Sequence, residues 1–153
     1  MALQAGDKAP NFKLESDSGL VSRTSLKGKP FIVYFYPKDD TSGCTKEALE
    51  FSAAAGKFEK LGISVLGVSK DSLASHQKFK TKHKLKIPLG SDPDIVMAKD
   101  WEVWGEKTLY GRKYMGMERA TFLVNAKGVI AAAWHKVKVP GHVEAVLAAA
   151  KTV

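Results

Sequence analysis

Phe31-Ile32-Val33-Tyr34-Phe35-Tyr36 is a run of six residues, all β-branched or aromatic, with no polar alternation. Such a run reads as a strand buried on both faces, as in the interior of a parallel sheet. Pro37 to Gly43 breaks it with residues that favour turns. From Cys44 to Leu61 the pattern turns helical, with Ala48, Phe51, Ala55 and Phe58 spaced by 3, 4 and 3. Ile63-Ser64-Val65-Leu66-Gly67-Val68 is a second core strand, and a helix from Leu73 to His83 follows it. Strand, helix, strand, helix in this order predicts parallel strands joined by helical crossovers.

The flanks complete the layout. Phe12, Leu14 and Val21 bracket Ser16-Asp17-Ser18-Gly19, which predicts a short N-terminal β-hairpin. Pro88 to Asp92 reads as a short strand or loop, and Asp94 to Lys99 as one or two helical turns. Trp101 to Met117, with three glycines and bulky aromatics, reads as irregular. Arg119 to Val124 and Val129 to Trp134 are strands across the Asn125-Ala126-Lys127-Gly128 turn. A last helix from Gly141 to Lys151 turns Val143, Val146 and Leu147 inward. The expectation is one α/β domain over residues 1–153, a central mixed β-sheet flanked by helices. A thioredoxin-like fold meets it.

Composition narrows the chemistry. The 153 residues hold 24 Lys plus Arg against 16 Asp plus Glu, a formal charge of +8. With 44% hydrophobic and 26% charged residues the chain is globular, not disordered. No apolar run approaches the ~20 residues of a membrane span. Met1 to Asp7 lacks a basic and an apolar region, so no signal peptide is expected, and the expected compartment is cytoplasmic and reducing. The densest positive stretch, Lys78 to Lys86, has five lysines at every second position. Lysine without neighbouring arginine or exposed aromatics reads as a solvated face rather than a nucleic-acid reader.

The single cysteine, Cys44, excludes an internal disulfide and a multi-thiolate metal site. It stands where a buried strand passes through a loop into a helix. Helix N-termini leave N–H groups unpaired and carry partial positive charge, which favours a thiolate. Thr41 supplies a hydroxyl one helical turn before the sulfur. Gly43 lets backbone approach closely because it lacks Cβ, and Pro37 offers a rigid apolar wall. Each has a structural alternative: Thr41 or Ser42 as N-cap, Gly43 as a turn residue, Pro37 as a strand terminator, Cys44 as a small hydrophobe. His76 and His83 share a helical seam and read as core-edge or solvated residues. His135 and His142 flank the last loop without a carboxylate pattern that would make a metal site. Trp101 and Trp104 read as loop anchors.

Pro37-Lys38-Asp39-Asp40-Thr41-Ser42-Gly43-Cys44 resembles the peroxiredoxin active-site loop: Pro, three residues, Thr, two residues, Cys. Tyr34-Phe35-Tyr36 before it and Thr45-Lys46-Glu47-Ala48 after it are similar to the bacterioferritin comigratory protein, or PrxQ, branch. So are Gly6 to Phe12, Val68 to Ser72 and Arg119 to Val124, and the resemblance covers nearly the whole chain. It implies a thiol-dependent peroxidase acting in antioxidant defence and redox homeostasis. Cys44 would attack hydrogen peroxide or an organic hydroperoxide and become a sulfenic acid. Thr41 and the N–H groups of Gly43 and Cys44 would bind the peroxide oxygens. Arg119 would lie beside the sulfur, Pro37 would shield it, and Glu47 would orient Arg119 or favour the first helical turn. No metal or organic cofactor, nucleic acid or membrane is implied, and the chain would be a monomer or weak homodimer.

One departure shapes the mechanism. Many members of the branch have a second, resolving cysteine five residues after the first; here that residue is Leu49, and no other cysteine exists. The sulfenic acid must then be reduced from outside, with glutathione, glutaredoxin or thioredoxin as candidate thiols. With no internal disulfide to unwind it, the Cys44 helix is expected to stay folded through the cycle. Two other classes compete. One is a peroxide sensor or redox-regulated binding protein without steady turnover; the other is a cysteine hydrolase, which needs a histidine near the sulfur.

Overall fold

A computed structural model describes residues 2–153. A hairpin of β1 (Lys13–Ser16) and β2 (Gly19–Ser22) opens the chain, followed by a 3-10 turn at Thr24–Leu26. Then come β3 (Phe31–Phe35), α1 (Ser42–Lys60), β4 (Ser64–Ser69), α2 (Leu73–His83), β5 (Leu89–Ser91) and α3 (Val96–Asp100). The C-terminal part holds β6 (Trp104–Leu109), β7 (Arg112–Met117), β8 (Ala120–Val124), β9 (Ile130–Trp134) and α4 (His142–Ala150). Seven strands form one mixed sheet in the order β2-β1-β5-β4-β3-β8-β9. β3, β4 and β5 run parallel; β1, β8 and β9 join antiparallel to their neighbours. The expected mixed sheet, flanking helices and N-terminal hairpin are all present.

The unbroken run in β3 has a simple cause. Phe31, Val33 and Phe35 enter one core with Phe12, Leu14, Met97, Trp101 and Phe122. Ile32, Tyr34 and Tyr36 enter the other, with Phe51 and Phe58 of α1, Phe79 of α2 and Val143 and Val146 of α4. A strand with a core on each side has no solvent face on which to place a polar residue. On the α1 side Tyr34 stacks on Phe51, ring centroids 4.4 Å apart. Gly67 on the neighbouring β4 makes room for that ring, since a Cβ there would stand 2.7 Å from Tyr34 Cζ.

The irregular segment expected over Trp101 to Met117 is corrected. Trp101 is fully buried in the core and anchors the segment, but residues 104–117 form a separate two-stranded hairpin. Tyr110 and Gly111 both have positive φ (51° and 76°), which suits a two-residue hairpin turn. Among the described residues no helix is long and apolar enough to cross a membrane.

Candidate active site

α1 starts two residues earlier than the periodicity suggests, at Ser42, with Thr41 in the N-cap position. Its first backbone bond runs from the Thr45 N–H to the Thr41 carbonyl at 2.8 Å. The N–H groups of Ser42, Gly43 and Cys44 precede that bond and have no acceptor within the helix. Cys44 is the third residue of the helix and only 1% exposed. Thr41 does not cap with its side chain; its hydroxyl donates to the Lys38 carbonyl at 2.9 Å. That engages the only hydroxyl proton and leaves the oxygen free as an acceptor. Pro37 is half-buried and Thr41 exposed at the mouth of the loop.

Arg119 comes from the opposite side, one residue before β8, which pairs with β3. Its fork is divided. Nη2 lies 3.3 Å from Cys44 Sγ, and Nη1 donates to Glu47 Oε1 at 2.8 Å. Glu47 sits less than one turn after Cys44 on α1 and is completely buried. Burial pushes its carboxyl up to about 7, although the Arg119 charge pulls the other way. Burial also works against the Arg119 charge, but Cys44 and Glu47 outweigh it and raise the guanidinium further above its ordinary range. Gly43 eases the approach of the guanidinium, for a Cβ there would stand 3.2 Å from Nη2 and press it back by a few tenths of an ångström. The arrangement sets a fixed cation against a sulfur at the positive end of a 19-residue helix.

Three neighbours were not among the expected site residues. The Tyr34 hydroxyl is buried without a hydrogen-bond partner among the described residues, as is Glu47 Oε2. Burial first, and the Glu47 charge second, hold the Tyr34 phenol protonated. Lys107 of the β6–β7 hairpin is half-buried. Burial and the Arg119 charge lower its ammonium below the ordinary range, while Cys44 pulls it back. Asp39, within the loop, is buried in a polar cluster with His76. An aspartate in the loop was visible in the sequence; its partner on α2 and the hairpin lysine carried no local signal.

The histidines fall partly as expected: His83 is half-buried at the edge of α2. His76 is not at the core edge: it is fully buried, Nδ1 2.7 Å from Asp39 Oδ2 and Nε2 2.9 Å from the Gly90 carbonyl. His83 pairs with Asp40 at 2.8 Å, and Lys80 and Lys82 pair with Asp17 and Asp40 at 2.7 Å. So part of the lysine-rich stretch ties α2 to the rest of the molecule instead of facing only solvent. His135 does have a carboxylate, Glu118, at 2.9 Å. His142 is buried against the Thr121 hydroxyl at 2.7 Å, and burial with the Arg119 charge lowers it to about 4. Among the described residues no histidine is hydrogen-bonded to Cys44, so the base that a cysteine hydrolase needs is not in place. No group of three or more His, Cys, Asp or Glu side chains there could hold a metal ion. Leu49 is 43% exposed on the outer face of α1.

Comparison with known proteins gives one answer. Residues 5–133 match the model of the AhpC/TSA family. The putative peroxiredoxin Bcp of Coxiella burnetii is 49% identical over 148 residues, covering 96% of this chain and 98% of that one. A PrxQ mutant from Xylella fastidiosa superimposes with a TM-score of 0.93 at 38% identity, over 99% of this chain and 98% of that one. The bacterioferritin comigratory protein of Xanthomonas campestris, described for its alkyl peroxide reduction activity, gives a TM-score of 0.87 at 42% identity. That match covers 92% of this chain and 90% of the other.

Proposed function

This chain belongs to the AhpC/TSA family as a peroxiredoxin of the Bcp/PrxQ branch, a thiol-dependent peroxidase, and from that premise we propose a one-cysteine cycle centred on Cys44. The Cys44 thiolate attacks the terminal oxygen of the peroxide. The S–O bond forms as the O–O bond breaks, leaving Cys44 as a sulfenic acid, and the departing hydroxide or alkoxide takes a proton from solvent. An external thiol then condenses with the sulfenic acid to a mixed disulfide and water, and a second thiol restores Cys44. No second cysteine exists in the chain to replace that thiol.

Arg119 sets its positive charge beside the sulfur and the oxygen that gains charge in the transition state. Glu47 holds the guanidinium by its other nitrogen. Thr41, its proton given to Lys38, accepts the peroxide O–H, while the N–H groups of Gly43 and Cys44 donate to the peroxide oxygens. Pro37 covers the sulfur. The observation that supports this reading most directly is the divided fork of Arg119, one nitrogen on Sγ and the other on a buried carboxylate. Hydrogen peroxide and organic hydroperoxides are the proposed substrates, and glutathione, glutaredoxin and thioredoxin the proposed reductants, in a reducing, cytoplasmic compartment.

The test is steady peroxide consumption with each of the three reductants in turn, in the parent chain and in Cys44→Ser. Turnover should continue with at least one reductant and fall to background in Cys44→Ser. Equal consumption by the two proteins would overturn the assignment of Cys44. A single equivalent consumed, without turnover under any thiol, would point instead to a sensor.

A further inference from the structure

The loop that carries Thr41 is fastened to α2 by side chains that the chemistry above does not use. Asp39 lies at its centre. Oδ1 accepts the Tyr36 hydroxyl at 2.5 Å; Oδ2 accepts the Ser75 hydroxyl at 2.8 Å and faces His76 Nδ1 at 2.7 Å. Burial works against a charge here, but His76, Tyr36 and Ser75 outweigh it and hold the Asp39 carboxyl below its ordinary range. The other nitrogen of His76 faces the Gly90 carbonyl at 2.9 Å. A neutral imidazole has one N–H, and its second nitrogen would turn a lone pair on an oxygen. The doubly protonated ring satisfies both contacts; burial works against its charge, but Asp39 and the Gly90 carbonyl outweigh it and raise the imidazole above its ordinary range, so Asp39 and His76 pair as buried ions. Removing one member of such a pair strands the other's charge.

The pair reaches the site through one peptide plane. The N–H of Asp39 donates to Asp71 Oδ2 at 2.8 Å, and Asp71 is held in turn by the Ser69 hydroxyl at 2.6 Å. The carbonyl of that same peptide unit belongs to Lys38, and it receives the Thr41 hydroxyl at 2.9 Å. One end of a rigid plane is thus anchored to β4 and its loop, while the other orients Thr41. Asp40, between Asp39 and Thr41, takes φ +58°, a left-handed turn that aspartate tolerates, and Lys82 and His83 grip it from α2.

We propose that His76 is a positioning residue: through Asp39 it fixes the Lys38–Asp39 peptide plane, whose carbonyl aims the Thr41 hydroxyl at the peroxide bound by Cys44. This rests on the peroxidase reading of Cys44.

His76→Gln, Asp39→Asn and the double variant test it in the full chain, with Ser75→Ala as a milder change at the same Asp39 oxygen. Three rates are read: single-turnover reaction with hydrogen peroxide, alkylation of Cys44 by iodoacetamide, and amide exchange. Each single variant should lose about tenfold or more in the peroxide reaction, the scale of a misplaced contact. Alkylation needs the thiolate but not Thr41, and should stay close to the parent rate. The double variant should be no slower than the slower single one, because the two residues act as a unit. Ser75→Ala should move the peroxide rate the same way by less. Amides of residues 38–42 should exchange faster while those of β3 remain protected. A peroxide rate equal to the parent's would overturn the proposal, and so would peroxide and alkylation rates that fall in step. A parent chain with no thiol-dependent turnover would sink the peroxidase reading instead; the exchange measurement judges the fastening in either case.

Discussion

Replacing Glu47 with Gln should change how stability depends on pH. Glu47 is fully buried, and its carboxyl lies at about 7 against an ordinary 4.5. Because the folded value is the higher one, the native state holds this proton more tightly than the unfolded chain. The stabilising contribution is whole below 4.5 and is lost as pH rises through about 7. At 1.36 kcal/mol per tenfold difference in proton binding, the loss comes to about 3 kcal/mol. Gln keeps the shape of the protonated acid but cannot ionise. The gap in unfolding free energy between Glu47→Gln and the parent should therefore widen in the variant's favour, by about 3 kcal/mol, from about pH 4 to about pH 8. Urea unfolding at several pH values reads this directly. With a slope of about 2 kcal/mol per molar urea, the midpoints should separate by roughly 1.5 M across that range. Other titrating groups cancel in the difference. Curves that stay parallel over the whole range would refute the reasoning, for Glu47 would then carry no buried, pH-dependent charge.

Two further substitutions probe the surroundings. Arg119→Lys should slow the peroxide reaction by about 10²–10³, the usual cost of losing one preorganised donor to developing charge. An ammonium is a single point and cannot bridge Cys44 and Glu47 as the fork does; stopped-flow kinetics would show it, and a change below threefold would remove Arg119 from the reaction. Gly67→Ala should destabilise the fold by about 1–3 kcal/mol, because the new methyl would meet the Tyr34 ring. A melting temperature equal to the parent's would mean that the ring moves aside freely.

What the sequence made legible follows from how local each signal is. β3 and the α1 periodicity stand out because both are written in consecutive apolar residues. α2 has the bounds that its Leu73, His76, Phe79 and His83 seam gives. The helical start at Ser42 was missed by two residues because apolar periodicity begins only at Ala48. Cys44 and Thr41 can be placed at a helix N-terminus from local pattern alone. Arg119 is 75 residues from Cys44 and meets it only because β8 pairs with β3. Nothing in the residues around it announces that contact; family resemblance supplied it. His76 looked like an edge residue because its partner Asp39 is 37 positions away. A buried histidine and an edge histidine have the same letter and the same spacing.

The β6–β7 hairpin was hidden for a different reason. It packs mainly outside the two cores, and Glu106, Thr108, Leu109, Arg112, Lys113 and Tyr114 are exposed. Without a buried face there is no alternation to detect. That same lack has a bearing on how the protein behaves in a crowd. A ribbon outside the main sheet has two free edges, and free edges invite strands from other molecules. Here the ribbon holds charges of both signs, with Lys113 diagonal to Glu106 and 3.8 Å from it. An incoming strand would have to strip water from those charges before it gained a hydrogen bond. Residues that give no clue to the fold thus act as guards against aggregation, and trimming their charge would trade a quiet surface for a sticky one.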